Sequence, residues 1–127
     1  HERKTGALLR ASLVGGALLA AGRKPLVERI GAFGEAFGLL FQITDDLLDE
    51  FGSYRTLGRR RGRDRVRGKA TYPSILGRDR AREALSEAIT QTLDRIPATG
   101  EAEEVFTDLI AVVVGRLPDH WFPGWGK

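Results

Sequence analysis

An acidic stretch within an apolar helical pattern, residues 37–50 (FGLLFQITDDLLDE), constrains this chain more than any other feature. Four of its polar residues are Gln42, Asp45, Asp46 and Asp49. Because an α-helix turns about 100° per residue, these side chains share an arc of roughly 100°. Phe33, Phe37, Leu40, Phe41, Thr44 and Leu48 fall on the opposite side. We therefore predict one face that packs and one face that carries charge. Neighbouring carboxylates repel one another, so a hard divalent cation is their natural complement.

Length and composition fit a single domain, since 127 residues with 42% hydrophobic content can bury a core. The chain has no cysteine, which excludes disulfides and thiolate metal sites. A bound metal must therefore use oxygen ligands or histidine. A reducing compartment is allowed, and we expect a cytoplasmic protein. The net charge of +3 favours an anionic partner, although the positive excess is concentrated in one segment.

The chain begins at His1 and enters a helical pattern almost at once, so we expect it to be a fragment of a longer protein. Its most apolar run, residues 7–20, has about two thirds of the roughly 20 residues that a membrane span needs. Arg10 and Ser12 interrupt this run. We predict a buried helix there, with neither a membrane span nor a secretory signal.

Helical periodicity recurs along the chain without any strand pattern, which predicts an all-α fold. The predicted helices cover residues 4–21, 25–51, 78–96 and 101–117, with regular structure also restarting at Tyr72-Pro73. We expect a helical domain of residues 1–117 and an irregular tail of residues 118–127. The tail's aromatic residues fit either a disordered end or a packed lid. Glu101, Glu103 and Glu104 are expected to be a solvated helix start.

A basic, glycine-punctuated segment, residues 52–68, is predicted to be a loop. It holds seven arginines and one acid, Asp64, and Lys69 follows it directly. Such a run is compatible with a nucleic-acid-binding arm, but it lacks the interleaved aromatics that base stacking favours. A phosphate-binding flap is at least as good an interpretation. Near the start, Lys4 is either a solvated lysine or part of an anion site.

Four landmarks, in this order, resemble the C-terminal half of trans-type polyprenyl diphosphate synthases, the family of farnesyl and geranylgeranyl diphosphate synthases. They are Lys4-Thr5-Gly6; Phe41-Gln42 followed by Asp45-Asp46-Leu47-Leu48-Asp49; the basic loop with Gly62 and Asp64; and Gly68-Lys69 leading to Thr71-Tyr72-Pro73. The resemblance covers roughly residues 4–77. It implies part of an isoprenoid-synthase helical bundle around a central cavity.

The resemblance also implies isoprenoid biosynthesis through Mg²⁺-dependent prenyl transfer. In this family, Mg²⁺ ions bridge aspartates to an allylic diphosphate, the carbon–oxygen bond ionises, and the allylic cation alkylates isopentenyl diphosphate before a proton is lost. The matching positions imply Asp45, Asp46 and Asp49 as metal ligands. Diphosphate-binding residues would be Lys4, Arg59 and Lys69, with arginine at 59 where relatives often have lysine. Thr5 and Gln42, with Lys4, would act near the reacting carbon.

One departure from the family pattern is the absence of its first aspartate-rich motif. We therefore expect the isolated chain to be inactive in prenyl transfer. Its expected partners are the missing N-terminal half or a complementary subunit, and a homodimer is compatible with the family. Two alternatives remain: a non-catalytic partner subunit of a complete synthase, and a basic helical nucleic-acid-binding protein. If the chain is part of a synthase, we expect no nucleic-acid partner.

Overall fold

The computed structural model of the chain describes residues 2–19, 23–51, 72–98, 100 and 102–121. Its helices, numbered in chain order, are α1 (Glu2–Leu19), α2 (Lys24–Phe51), α3 (Tyr72–Asp94) and α4 (Ala102–Val114). A short 3₁₀ helix, Asp119–Trp121, follows α4. No residue in these ranges lies in a strand, so the all-α prediction is confirmed. The predicted basic loop lies outside the described residues.

Helix α2 is the centre of the fold, because α1, α3 and α4 all contact it. Its apolar stripe is buried, with Phe33, Leu40 and Leu47 fully enclosed. The Phe33 ring stacks on Phe37 at a centroid distance of 5.6 Å and meets Phe106 of α4 edge to face at 4.8 Å. Offset and edge-to-face geometries are the favoured ones for aromatic pairs. The predicted packing face of α2 is therefore confirmed.

Helix α1 packs antiparallel on α2 through glycines. A Cβ atom at Gly38 would lie 2.8 Å from the Gly6 Cα, and one at Gly34 would lie 3.0 Å from the Arg10 Cα. The first distance is too short for a real Cβ atom and the second is unusually tight, so glycine at these positions allows the two backbones to approach closely. The other side of α1 is open, and Leu8, Leu18 and Leu19 are exposed there. Within the described structure, the helix that we predicted to be buried is thus covered by α2 on one side and exposed on the other.

Helix α3 is interrupted at Gly77, where φ is 77° and ψ is 170°. A positive φ is unfavourable for residues with a Cβ, so glycine is the residue that permits this break. The break separates residues 72–76 from the longer helical part, as the predicted restart at Tyr72 and the helix from residue 78 require. The buried residues Ala81, Leu85 and Ile89 of α3 join the core.

The segment that follows α4 is anchored by Trp121, which is buried in the same core. The guanidinium groups of Arg78 and Arg82 lie 5.6 and 5.4 Å from its ring centroid. Cations within about 6 Å of an aromatic ring are attracted to its face. Trp121 is thus a packed part of the segment that we expected to be irregular. Among the described helices, none has both the length and the hydrophobicity that a membrane crossing requires.

Candidate functional site

The acidic motif lies in the last two turns of α2, which continues without interruption to Phe51. We expected packing on one face and charge on the opposite face. The charge-carrying face is itself enclosed, since Asp46 and Asp49 are each only 1% exposed. Carboxylates near a helix C-terminus also face the negative end of the helix dipole. Their charge therefore requires compensation.

Gln42 and Asp46 form a direct pair within this buried face. The Gln42 side-chain amide donates a hydrogen bond to Asp46 Oδ1 at 3.0 Å, and Gln42 is itself buried. The two residues are four positions apart, so the helical spacing that placed them on one arc also brings them into contact. This bond orients the side-chain amide of Gln42 and uses its nitrogen, not its carbonyl oxygen.

Asp45 lies at the other edge of the acidic arc and has a different environment. Its side chain is 37% exposed, and Oδ1 forms an ion pair with Nη2 of Arg116 at 3.4 Å. The Arg116 guanidinium also lies over the Phe41 ring, 5.0 Å from the centroid. The three aspartates are therefore not equivalent: Asp46 and Asp49 are enclosed, whereas Asp45 is accessible and already has a cationic neighbour.

The antiparallel packing of α1 on α2 brings Lys4 and Thr5 to the same end of the helix pair as the acidic motif. The contact between Gly6 and Gly38 sets this register. Lys4 lies about half a turn before Gly6 on α1, and Gln42 lies about one turn after Gly38 on α2. The Lys4 side chain is exposed. Nothing is described for the Thr5 side chain, while Arg59 and Lys69 lie outside the described residues. Their convergence on the acidic motif stays a prediction.

A cleft of about 420 Å³ lies between α1 and α2 and reaches Gln42. Its walls are mostly small and apolar, with Gly6, Ala7 and Gly38 among them, and Leu39 is partly exposed beside it. Arg10 and Glu35 also line the cleft and form an ion pair at 3.3 Å. An elongated apolar group fits such walls, and the polar end of the cleft is next to the acidic motif.

The donor chemistry of the acidic face fits Mg²⁺, which prefers carboxylate oxygens. Within residues 2–19, 23–51, 72–98 and 102–121, however, no three acidic or histidine side chains converge closely enough to hold a metal ion by themselves. Mg²⁺ is usually bound by one or two carboxylates together with substrate phosphates and water rather than by a cage of protein ligands alone. The described donors therefore fit Mg²⁺ by type but do not form a complete set of ligands by themselves.

Comparison with known proteins identifies the family of this chain. The sequence pattern of the family described as Polyprenyl synthetase matches residues 1–109. The chain belongs to the polyprenyl synthetase family. The resemblance inferred from the ordered motifs is thereby confirmed at the level of the family.

Named relatives of this polyprenyl synthetase chain include plant and bacterial enzymes. It is 45% identical over 83 residues to geranylgeranyl pyrophosphate synthase 4 of Arabidopsis thaliana, covering 65% of this chain and 22% of that protein. It is 33% identical over 116 residues to farnesyl diphosphate synthase of Micrococcus luteus, covering 91% of this chain and 40% of the relative. A third relative is the heterodimeric geranylgeranyl pyrophosphate synthase large subunit 1, chloroplastic, of Arabidopsis thaliana, 40% identical over 96 residues, or 76% of this chain and 26% of that protein. The chain thus spans less than half the length of these relatives.

Two charged residues lie beside the candidate site of this polyprenyl synthetase chain but were not among the site residues predicted from the sequence. Glu50 is buried next to Asp49, and Arg116 contacts Asp45. Glu50 lies just outside the 100° arc, so the arc did not include it. Arg116 follows the apolar run of α4, and no local pattern links it to a residue 71 positions earlier.

Proposed function

We propose that this chain forms the part of a prenyl diphosphate synthase that binds metal and diphosphate, for transfer of an allylic prenyl group to isopentenyl diphosphate. The observation that carries the proposal is the buried Gln42–Asp46 pair at the mouth of an apolar cleft, with Asp45 accessible at the edge. A prenyl diphosphate has the matching shape, because it joins a highly charged head to an apolar chain.

The proposed roles of the residues follow from their chemistry. Asp45, Asp46 and Asp49 would hold Mg²⁺, completed by diphosphate oxygens and water. Bound Mg²⁺ would supply positive charge that stabilises the leaving diphosphate. A water-poor site strengthens such electrostatic stabilisation, and Asp46 is already enclosed.

Further proposed roles concern the diphosphate and the reacting carbon. Lys4, Arg59 and Lys69 would bind diphosphate oxygens, and arginine can do so with two parallel hydrogen bonds. Thr5 and Gln42 would lie near the reacting carbon. Because Gln42 donates its amide N–H to Asp46, its carbonyl oxygen can turn towards positive charge that develops there.

The proposed partner is the remaining part of a synthase, present either as the N-terminal half of a longer chain or as a complementary subunit. The exposed leucines of α1, which include Leu8 and Leu18, support this proposal because a partner would cover them. One relative is named as a heterodimeric large subunit. We therefore expect little prenyl transfer by this chain alone. A homodimer stays a prediction. A cytoplasmic location also stays a prediction, since one relative is named chloroplastic.

Calorimetry with Mg²⁺ and inorganic pyrophosphate tests the proposal. We expect pyrophosphate to bind only when Mg²⁺ is present, and the signal to be lost in the double variant Asp45→Ala/Asp46→Ala. The matched control is Asp79→Ala/Asp94→Ala, which removes the same charge from exposed positions on α3. Circular dichroism checks that each variant keeps its helices. Binding that ignores Mg²⁺, or that survives the loss of Asp45 and Asp46, would contradict the proposed site.

The alternative function, nucleic-acid binding through the arginine-rich segment, predicts a different result in the same experiment. Its affinity for duplex DNA would fall by roughly 0.9 logarithmic units per phosphate contact for each tenfold rise in salt. Replacing Asp45 and Asp46 would leave it unchanged or improve it, because negative charge is removed. Tight, salt-sensitive DNA binding by a chain that ignores Mg²⁺ and pyrophosphate would replace the synthase proposal.

A further inference from the structure

Arg116 is held in place by three contacts at the end of α4. Its Nη2 lies 3.4 Å from Asp45 Oδ1, its Nε donates to the carbonyl oxygen of Val113 at 3.4 Å, and its guanidinium lies 5.0 Å from the Phe41 ring centroid. Two of these contacts are with side chains of α2. The cation is therefore directed to one edge of the acidic face.

The chain on both sides of Arg116 is anchored in the core. Val113, Leu117 and Trp121 are each at most 6% exposed. Backbone bonds close the turn as well, because the Leu117 N–H donates to Val114 at 3.0 Å and the Trp121 N–H donates to Pro118 at 3.1 Å. Arg116 itself is part-buried, with 35% of its side chain exposed. Its position beside Asp45 is thus fixed by the fold as well as by attraction between the charges.

We propose that Arg116 is a built-in counterion that makes metal binding at the acidic motif depend on diphosphate. This inference rests on the proposed function and identifies Arg116 as a positioning residue for Asp45. In the absence of diphosphate, the guanidinium neutralises Asp45 and repels a divalent cation that approaches it. When diphosphate is present, its negative charge offsets the positive charge of Arg116, and Asp45 can share Mg²⁺ with the phosphate oxygens.

The geometry favours this role over an ordinary surface ion pair. A ring contact and a backbone bond fix the guanidinium, so less conformational freedom is lost in pairing than for two free side chains. Asp45 is also the most accessible of the three aspartates, and thus the one that a free metal ion reaches first. A cation at this edge repels free metal ions from Asp45. It does not pair with Asp46, which accepts a hydrogen bond from Gln42.

The test compares the affinity for Mg²⁺ alone with that for Mg²⁺ in the presence of inorganic pyrophosphate, in the wild-type chain and in Arg116→Gln. We expect Arg116→Gln to bind Mg²⁺ alone about fivefold more tightly, because it removes a positive charge that lies 3.4 Å from Asp45 Oδ1, and solvent limits the effect of partly exposed charge pairs. The enhancement of Mg²⁺ binding by pyrophosphate should shrink accordingly. Arg116→Lys keeps the charge and should behave like the wild type.

The matched control is Arg95→Gln, which removes an equal charge from an exposed arginine at the end of α3. Arg95 also donates to a helix-end carbonyl, that of Gln91 at 3.1 Å, so it reproduces the local setting of Arg116. We expect it to change the affinity for Mg²⁺ by less than about threefold, as is usual for exposed charges. If Arg95→Gln and Arg116→Gln change the affinity for Mg²⁺ equally, the net charge of the chain explains the change, and the inference is overturned.

Asp45→Asn gives an independent test that does not require Arg116 to be replaced. If Arg116 guards Asp45, this change should leave binding of Mg²⁺ alone nearly unaltered but weaken binding of Mg²⁺ with pyrophosphate. A large loss of binding of Mg²⁺ alone would overturn the inference, as would unchanged or weaker Mg²⁺ binding by folded Arg116→Gln. Failure of the wild-type chain to bind pyrophosphate with Mg²⁺ would instead contradict the proposed function. Tighter binding of Mg²⁺ alone by Arg116→Gln would support the counterion role even then.

Discussion

The two long sides of α2 are packed in different ways. On the side facing α1, Gly34 and Gly38 bring the two backbones together and leave a cleft beside the contact. On the side facing α3 and α4, large side chains such as Phe33 and Leu40 are fully buried in the core. One helix therefore has a side built from close backbone contact and a side built from side-chain volume.

This difference separates stability from the candidate site. Buried aromatic and aliphatic groups contribute most of the hydrophobic free energy of folding. The glycine side contributes less buried surface, but it fixes the position of α1 relative to Gln42. We therefore expect changes on the aromatic side to alter the free energy of unfolding, and changes on the glycine side to alter the cleft as well.

The largest expected effect is that of Phe33→Ala on the aromatic side. Phe33 is fully buried and contacts the rings of Phe37 and Phe106, so its removal leaves a cavity that the two rings cannot fill. The free energy of unfolding should fall by about 3–5 kcal/mol. Urea denaturation followed by circular dichroism measures this loss. The control Leu18→Ala, on the open side of α1, should lower stability far less, because Leu18 is 60% exposed.

An intermediate effect is expected for Gly38→Ala on the glycine side. The new Cβ would lie 2.8 Å from the Gly6 Cα, so α1 must move away from α2. Overpacking of this kind costs about 1–3 kcal/mol, which exceeds the gain of up to about 1 kcal/mol from alanine's better helix propensity. The same denaturation experiment measures the net change.

The control for that change is Gly16→Ala, also within a helix. Nothing lies within 4 Å of a Cβ built at Gly16, so only the favourable helix propensity should remain. We expect this variant to be stabilised by up to about 1 kcal/mol. If both alanine variants stabilise the chain equally, close packing at Gly38 is not what fixes α1.

The smallest expected effect is that of Glu35→Gln, which removes the ion pair across the cleft. Arg10 and Glu35 are 3.3 Å apart, but their side chains are 49% and 70% exposed. Exposed ion pairs contribute about 0.2–1 kcal/mol, so stability should fall by no more than this. Repeating the measurement in high salt should abolish the difference from wild type, because salt screens exposed charges. A loss that persists in high salt would point to packing by the Glu35 side chain.

Features that depend on local periodicity were predictable from the sequence. The extent of α2 follows from its sustained apolar periodicity, and the contact of Gln42 with Asp46 follows from a turn of about 100° per residue. The break at Gly77 was also accessible, since apolar periodicity begins anew after it. Each of these features is determined within a few residues of where it occurs.

Features that depend on distant neighbours were not predictable from local patterns. The burial of Asp46 depends on the structure that surrounds the end of α2, which the helical arc does not specify. Trp121 occurs in a segment rich in proline and glycine, and it is buried in a core formed with residues far from it in the sequence. Arg59 and Lys69 lie outside the described residues, so their positions beside the acidic motif stay predictions.

The pairing of Asp45 with Arg116 also implies an order of events during folding. The two residues are separated by 71 positions, whereas α1 and α2 are consecutive in the chain and can meet as a local hairpin. Contacts between distant residues carry a greater loop-closure entropy, so they form later than local ones in a typical folding route. During synthesis, moreover, Arg116 leaves the ribosome long after the aspartates. The acidic face is therefore made first, and Asp45 gains its ion pair with Arg116 only later, when α4 docks.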